Sequence, residues 1–174
     1  MTLVKICGLQ EVEHVRAALE AGADAIGFVF AQSRRQLTLS QAQRMSAVVP
    51  QDVLKIGVFV NESSETVEKY AKEVPLDYIQ LHGDESIEYV NSIRVPVIKA
   101  FSVSSKEEVQ NALKYDVDLY LFDTPGIEYR GGSGNTFDWG ILDSENIPKE
   151  KVILAGGLNA ENVRVAIETV LPFM

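Results

Sequence analysis

Cysteine occurs once in this chain of 174 residues, tryptophan once and histidine twice. One cysteine cannot close an internal disulfide, so packing must hold the fold and a reducing, cytoplasmic setting is expected. No His/Cys cluster with metal-ligand spacing is present, and no metal is expected. Positive charge is scarce: 16 Lys and Arg stand against 25 Asp and Glu, a formal charge of −9 with a sequence pI near 4.7. Such a balance argues against nucleic acid or an anionic membrane as partner. It leaves room for a small anionic substrate, because a local cluster of donors overrides the global sign. No apolar run approaches the roughly 18 residues that span a bilayer, and the amino terminus shows no signal-peptide pattern. A soluble, cytoplasmic protein is expected. What is abundant is ordinary for a globular enzyme: 46% hydrophobic and 24% charged residues.

Strand-like and helix-like segments alternate along the chain. Short runs rich in Val, Ile, Leu, Phe and Tyr predict strands at 2–7, 24–30, 54–60, 77–82, 95–101, 118–123 and 151–156. Amphipathic segments lie between them. Val67, Tyr70, Ala71 and Val74 follow i, i+3, i+4, i+7 spacing, as do Val163, Ala166, Ile167 and Val170. Helix starts are expected at Ser40 before Gln41, at Ser104 with Glu107 three residues on, and at Asn159 before Ala160; Gly22 marks a helix stop. Residues 1–174 read as a single domain of seven βα units with no linker. Repeated units of this kind make either an open doubly wound sheet or a closed barrel. The open sheet favours a Gly-x-Gly-x-x-Gly turn after its first strand, and Cys7-Gly8-Leu9 is not one. The expected class is therefore α/β, a (β/α)₈ TIM barrel. An apparent lack of the eighth βα unit is expected as well, because Leu171-Pro172-Phe173-Met174 stands where that strand would begin. Open barrel edges favour self-association or completion by a partner.

Polar residues gather at the C-terminal ends of these strands, where a barrel keeps its chemistry. Cys7 ends the first strand, His82 the fourth, Asp123 the sixth and Gly156-Gly157 the seventh, while Arg34-Arg35 follows the second. Leu3, Lys5 and Cys7 share one strand face by alternation, so an amine stands beside a thiol, and a nearby cation favours the thiolate. Each residue also has a plainer reading. Cys7 could be an inert small hydrophobe, Asp123 a cap for the turn at Thr124-Pro125-Gly126, His82 a partner of a loop carbonyl, and Arg34-Arg35 a solvated pair. Gly156-Gly157-Leu158-Asn159 leads from a strand into a helix start, where backbone N–H groups hold phosphate; its plainer reading is a tight turn. Gly131-Gly132-Ser133-Gly134 forms either a lid or a flexible connection. His14, between Val12 and Val15, reads as solvated, and Trp139 as packing.

Taken in order, these motifs resemble the phosphoribosylanthranilate isomerase family of tryptophan biosynthesis. The resemblance runs through Lys5-Ile6-Cys7-Gly8, Gly27-Phe28-Val29-Phe30, Ser33-Arg34-Arg35, Gly57-Val58-Phe59-Val60-Asn61 and Gln80-Leu81-His82-Gly83. It continues through Gly131-Gly132-Ser133-Gly134, Thr136-Phe137-Asp138-Trp139 and Ala155-Gly156-Gly157-Leu158-Asn159. It implies an Amadori rearrangement of N-(5-phosphoribosyl)anthranilate, with Cys7 as general base and Asp123 as general acid. It further implies that Arg35 holds the anthranilate carboxylate, that Gly156 and Gly157 form part of a phosphate site, and that His82 contacts substrate. No cofactor is implied. An ordinary thiol, pKa about 8.5, and an ordinary aspartic acid, about 3.9, must shift in opposite directions to fill these roles.

The family's segment after the Pro172-Phe173 position has no counterpart in residues 1–174, so half of the implied phosphate site is expected to be absent from them. The alternative is accordingly a catalytically silent barrel fragment that binds a phosphorylated ligand or a complementary segment. Other phosphosugar barrels fit less well: a histidine-pathway isomerase is expected to use two aspartates, and indoleglycerol-phosphate synthase a lysine and glutamates, in place of Cys7 with Asp123.

Overall fold

The computed structural model describes residues 1–125, 136–143 and 147–174. Strands and helices alternate as β1 (Lys5–Cys7), α1 (Val12–Glu20), β2 (Ala25–Val29), α2 (Leu39–Ser46), β3 (Leu54–Phe59), α3 (Ser64–Glu73) and β4 (Tyr78–Leu81). They continue as α4 (Ile87–Ser92), β5 (Val97–Ser102), α5 (Lys106–Ala112), β6 (Leu119–Asp123), α6 (Gly140–Asp143), β7 (Val152–Leu154) and α7 (Val163–Val170). All seven expected strands are found, in a sheet whose strand order is the chain order. The registers joining β1 to β4 and β6 to β7 are parallel. Parallel neighbours need a crossover between them, which is why a helix follows each strand. The glycine-rich stretch Gly131-Gly132-Ser133-Gly134, expected to be a lid or a connection, lies outside the described residues.

The chain divides into two compact units, Leu3–Ile98 and Lys99–Met174 together with Met1–Thr2. In the first, Ile26, Phe28, Ile56, Phe59, Ile79 and Leu81 of the strands are buried with Val15, Met45 and Val67 of the helices. Each such side chain contributes about 1.5–3 kcal/mol of hydrophobic stabilisation. Phe30 and Phe59 stack at 5.0 Å, and Tyr70 of α3 meets Phe30 edge-on at 4.8 Å. The strand starts are fastened by carboxylates: Asp24 accepts from Val4 N at 2.8 Å and Asp77 from Lys55 N at 2.7 Å. These bonds satisfy amides that parallel pairing alone leaves open.

In the second unit, Leu119, Leu121, Phe122, Ile153 and Leu154 are buried with Val109 and Ala112 of α5 and Ala166 and Val170 of α7. Phe101, Tyr115, Tyr120 and Phe122 form an aromatic cluster, with Tyr120 donating to the Tyr115 carbonyl at 2.7 Å. The last residues run along β7. Phe173 N donates to Val152 O at 2.9 Å, and Leu154 N donates to Met174 O at 2.9 Å.

Three helix starts differ from expectation. Thr38, not Ser40, caps α2, in a capping box with Gln41. Ser105 with Glu108 caps α5, one residue beyond the expected Ser104 and Glu107. Helix α7 begins at Val163, because the Asn159 side chain accepts from Glu161 N at 2.8 Å and Asn162 N at 3.1 Å, closing a side-chain turn ahead of the helix. The expected stop at Gly22 is found: Ala23 N bonds Ala18 O and Gly22 N bonds Leu19 O, both at 3.0 Å.

Candidate active site

Strand β1 is short and its last residue, Cys7, is exposed. Its partner in register is Gly27 of β2. A Cβ at Gly27 would stand 2.5 Å from Cys7 Sγ, 3.0 Å from Cys7 Cβ and 3.1 Å from Lys5 Nζ. The amine and the thiol therefore share the space above one glycine, separated by no more than two of those lengths laid end to end. Alternation along β1 puts them on one face, as the sequence predicts, but only the strand register shows what they face.

Gly8, the next residue, has φ +80, a conformation that side chains with a Cβ rarely adopt. Arg35 lies against it: a Cβ at Gly8 would meet Arg35 Cδ at 2.5 Å and Nε and Nη1 at 3.4 Å. The loop that carries Arg35 is pinned at several points. Gln10 Nε2 donates to Arg34 O at 2.9 Å, Gln36 Nε2 donates to Phe30 O at 2.9 Å, and Leu37 N donates to Val29 O at 2.8 Å. Cys7 and Lys5 thus meet over Gly27, and the Arg35 guanidinium lies against Gly8, the residue that follows Cys7. Such a guanidinium suits bidentate recognition of a carboxylate. Arg34 is exposed, and its carbonyl accepts from Gln10 Nε2.

His82 follows β4 directly, its N–H donating to Phe59 O at 2.9 Å. Its ring is half-buried, and Nδ1 lies 3.1 Å from Gln80 Nε2. Beyond it, buried Glu85 accepts from Asn61 N at 2.9 Å and from Gly83 N at 2.9 and 3.1 Å, while Asn61 Oδ1 accepts from Asp84 N at 2.7 Å. These bonds tie the loop after β3 to the loop after β4.

In the second unit, Asp123 ends β6 and is 5% exposed. Its Oδ1 accepts from Thr124 N at 2.7 Å. Thr124 Oγ1 is buried without a hydrogen-bond partner among the described residues. Gly156, at φ +85, presses on both: a Cβ there would collide with Thr124 Oγ1 and come within 2.5 Å of Thr124 N and 2.7 Å of Asp123 Oδ1. Asp123 and Gly156, singled out separately in the sequence, are therefore neighbours. Gly157 has φ +63, and its carbonyl accepts from Asn162 Nδ2 at 2.9 Å. Because α7 begins at Val163, the two glycines do not open directly onto a helix N-terminus, as the sequence had suggested.

A sequence model described as N-(5'-phosphoribosyl)anthranilate (PRA) isomerase matches residues 4–173. The chain belongs to this isomerase family. It is similar to N-(5'-phosphoribosyl)anthranilate isomerase of Bacillus cereus strain G9842, 49% identical over an alignment of 174 positions that covers 98% of this chain and 84% of the relative. Among solved structures it is similar to phosphoribosyl anthranilate isomerase from Thermotoga maritima, with a TM-score of 0.88 and 42% identity. That match covers 99% of this chain and 85% of the other. A further structure of such an isomerase, in complex with reduced 1-(o-carboxyphenylamino)-1-deoxyribulose 5-phosphate, is 38% identical with a TM-score of 0.85, covering 99% and 84%. The parallel, seven-stranded α/β arrangement is thus TIM-like, as expected from the alternation of elements.

Gly27, Gln80, Thr124 and Glu85 were not singled out by the sequence as site residues. Gly27 stood within a family motif but had no assigned task. The signal was available only in part: Gln80 shares the His82 face by alternation, whereas Gly27 depends on strand pairing. No His, Cys, Asp and Glu cluster able to hold a metal occurs among the described residues. No helix among them is long and apolar enough to cross a membrane.

Proposed function

We propose that this chain catalyses the Amadori rearrangement of N-(5-phosphoribosyl)anthranilate to 1-(2-carboxyphenylamino)-1-deoxyribulose 5-phosphate, in tryptophan biosynthesis. The observation that carries the assignment is family membership across residues 4–173. Cys7 beside Lys5 over Gly27, with Arg35 against the adjoining Gly8, supports it from the side of the chemistry.

The mechanism assigns Asp123 as general acid. Its proton passes to the furanose ring oxygen, the ring C–O bond breaks, and the anthranilate nitrogen supplies the electrons that make an iminium at C1. The C2 proton is then acidic, since its bonding electrons flow toward the cationic nitrogen. Cys7, as thiolate, removes that proton to give an enolamine, which tautomerises to the ketone. C2 is oxidised and C1 reduced within one molecule, so the overall reaction requires no external electron acceptor. Burial of Asp123 suits an acid that must carry a proton. Arg35 takes the anthranilate carboxylate, Gly157 and Gly156 contribute to holding the phosphate, and His82 contacts the substrate. We assign the fold finely as a single barrel domain of the (β/α)₈ type, of which the described residues hold seven strands. Strand order in chain sequence and the pairing of Phe173 and Met174 along β7 support this. The setting we assign is cytoplasmic.

The test follows the decay of substrate fluorescence when freshly made phosphoribosylanthranilate meets the chain. Decay above spontaneous hydrolysis, with the deoxyribulose phosphate as product and abolished by Cys7→Ser, is the expected result. Ligand binding without acceleration in the unaltered chain would leave a phosphosugar-binding domain without turnover and overturn the assignment.

A further inference from the structure

Lys5 is half-buried on β1, and its ammonium makes no hydrogen bond or ion pair among the described residues. Acidic partners are not scarce: the chain carries 25 Asp and Glu against 16 Lys and Arg. A partly desolvated cation without a counter-charge costs stability, so its presence calls for a reason. What stands beside it is Cys7. A Cβ at Gly27 would lie 3.1 Å from Lys5 Nζ and 2.5 Å from Cys7 Sγ, so a side chain there would occupy the space the two share. Nitrogen and sulfur are therefore within about 6 Å of each other, the range in which a cation favours an anion beside it. Strand β2 brings no ionisable side chain to compete, and Asp24 ahead of it accepts from Val4 N. Arg35, against Gly8, carries the same sign as Lys5.

An isolated thiol is mostly protonated at neutral pH, whereas the thiolate is the form that can take a proton from carbon. We propose that Lys5 is a positioning residue for this step: its ammonium, brought over Gly27 by strand register, holds Cys7 as the thiolate that accepts the C2 proton. This rests on the isomerase reading above, in which Cys7 is the base. The ammonium gives up no proton. The C2–H bond breaks, its electrons move toward the iminium nitrogen, and the proton goes to sulfur, leaving an ammonium beside a neutral thiol. Glycine at position 27 belongs to the arrangement, since a Cβ there would crowd both groups.

Cys7 is the chain's one cysteine and is exposed, so alkylation by uncharged iodoacetamide reads this sulfur alone and needs no turnover. At neutral pH, Lys5→Met is expected to alkylate about tenfold more slowly than the unaltered chain, and Lys5→Arg to recover to within a few-fold. Salt at about 1 M, which screens charges beyond about 3 Å, is expected to slow alkylation of the unaltered chain several-fold and to leave Lys5→Met unchanged. In parallel, kcat for phosphoribosylanthranilate is expected to fall about tenfold in Lys5→Met, with KM within a few-fold. Equal alkylation rates in the unaltered chain and Lys5→Met overturn the proposal. So does a salt-insensitive rate in the unaltered chain, a result that does not depend on how any variant folds. Slower alkylation with kcat unchanged overturns the catalytic part of it. Absence of turnover in the unaltered chain counts against the isomerase reading and leaves the alkylation result standing.

Discussion

Replacing Gly27 with alanine isolates the placement of Cys7 from the stability of the fold. Gly27 is not among the positive-φ residues, so its backbone accepts a side chain without strain. In a strand interior, alanine is favoured over glycine by about 0.5–1 kcal/mol. The new methyl, however, would stand 2.5 Å from Cys7 Sγ and 3.0 Å from Cys7 Cβ. Ordinary contact requires roughly 3.5–4.0 Å, so the thiol must retreat by about 1 Å. A displacement of about 1 Å at the reacting group costs on the order of 10²-fold in rate. Cys7 is exposed, and it can move without disturbing buried neighbours. Gly27→Ala is therefore expected to melt close to the unaltered chain and to lose about 10²-fold in kcat, read by substrate fluorescence decay. Gly57→Ala is the control: its methyl would meet Leu76 Cδ1 at 2.5 Å and Phe59 Cε2 at 2.9 Å, far from the thiol in chemical role. That variant is expected to lose about 1–3 kcal/mol of stability by overpacking and to keep its turnover per folded molecule. A folded Gly27→Ala chain with full kcat would refute the assignment of Cys7 as the base at this position.

Other substitutions probe the remaining contacts. Gly156→Ala combines strain at φ +85 with a clash on Asp123 Oδ1 and Thr124 N, and is expected to lower kcat at least 10²-fold; a rise in KM alone would show that Gly156 serves only the phosphate. Glu85→Gln places an N–H₂ or a weaker acceptor against the amides of Asn61 and Gly83, and is expected to cost about 1–3 kcal/mol in a urea titration. Glu108 is held below its ordinary pKa of 4.5, chiefly by the Ser104 N–H at 2.6 Å and against partial burial. A lowered carboxylate pKa adds stability that is present above 4.5 and lost as pH falls through the folded value. Glu108→Gln is expected to flatten the acid limb of the melting-temperature profile below that pH, and an unchanged acid limb would show that the cap carries no such linkage.

How much of this was legible beforehand follows from the range of each interaction. Strand alternation and helical spacing relate residues two to four positions apart, so β1 to β7 and the faces of α3 and α7 could be read from the chain alone, except that Val163, in the first turn of α7, is exposed. The Lys5 and Cys7 face was legible for the same reason. Helix starts were less so, because neighbouring hydroxyls compete: Thr38 with Ser40, and Ser105 with Ser104. Which one caps depends on where the chain turns away from the preceding loop. Sequence motifs also named Arg35, Asp123 and Gly156, and with them the family. Tertiary structure alone decided that Gly27 stands opposite Cys7, that Arg35 crosses Gly8, and that Gly156 presses on Asp123 and Thr124. Those meetings join residues far apart in the chain through strand register and backbone approach, and both are set by the packing of whole elements, not by any local pattern.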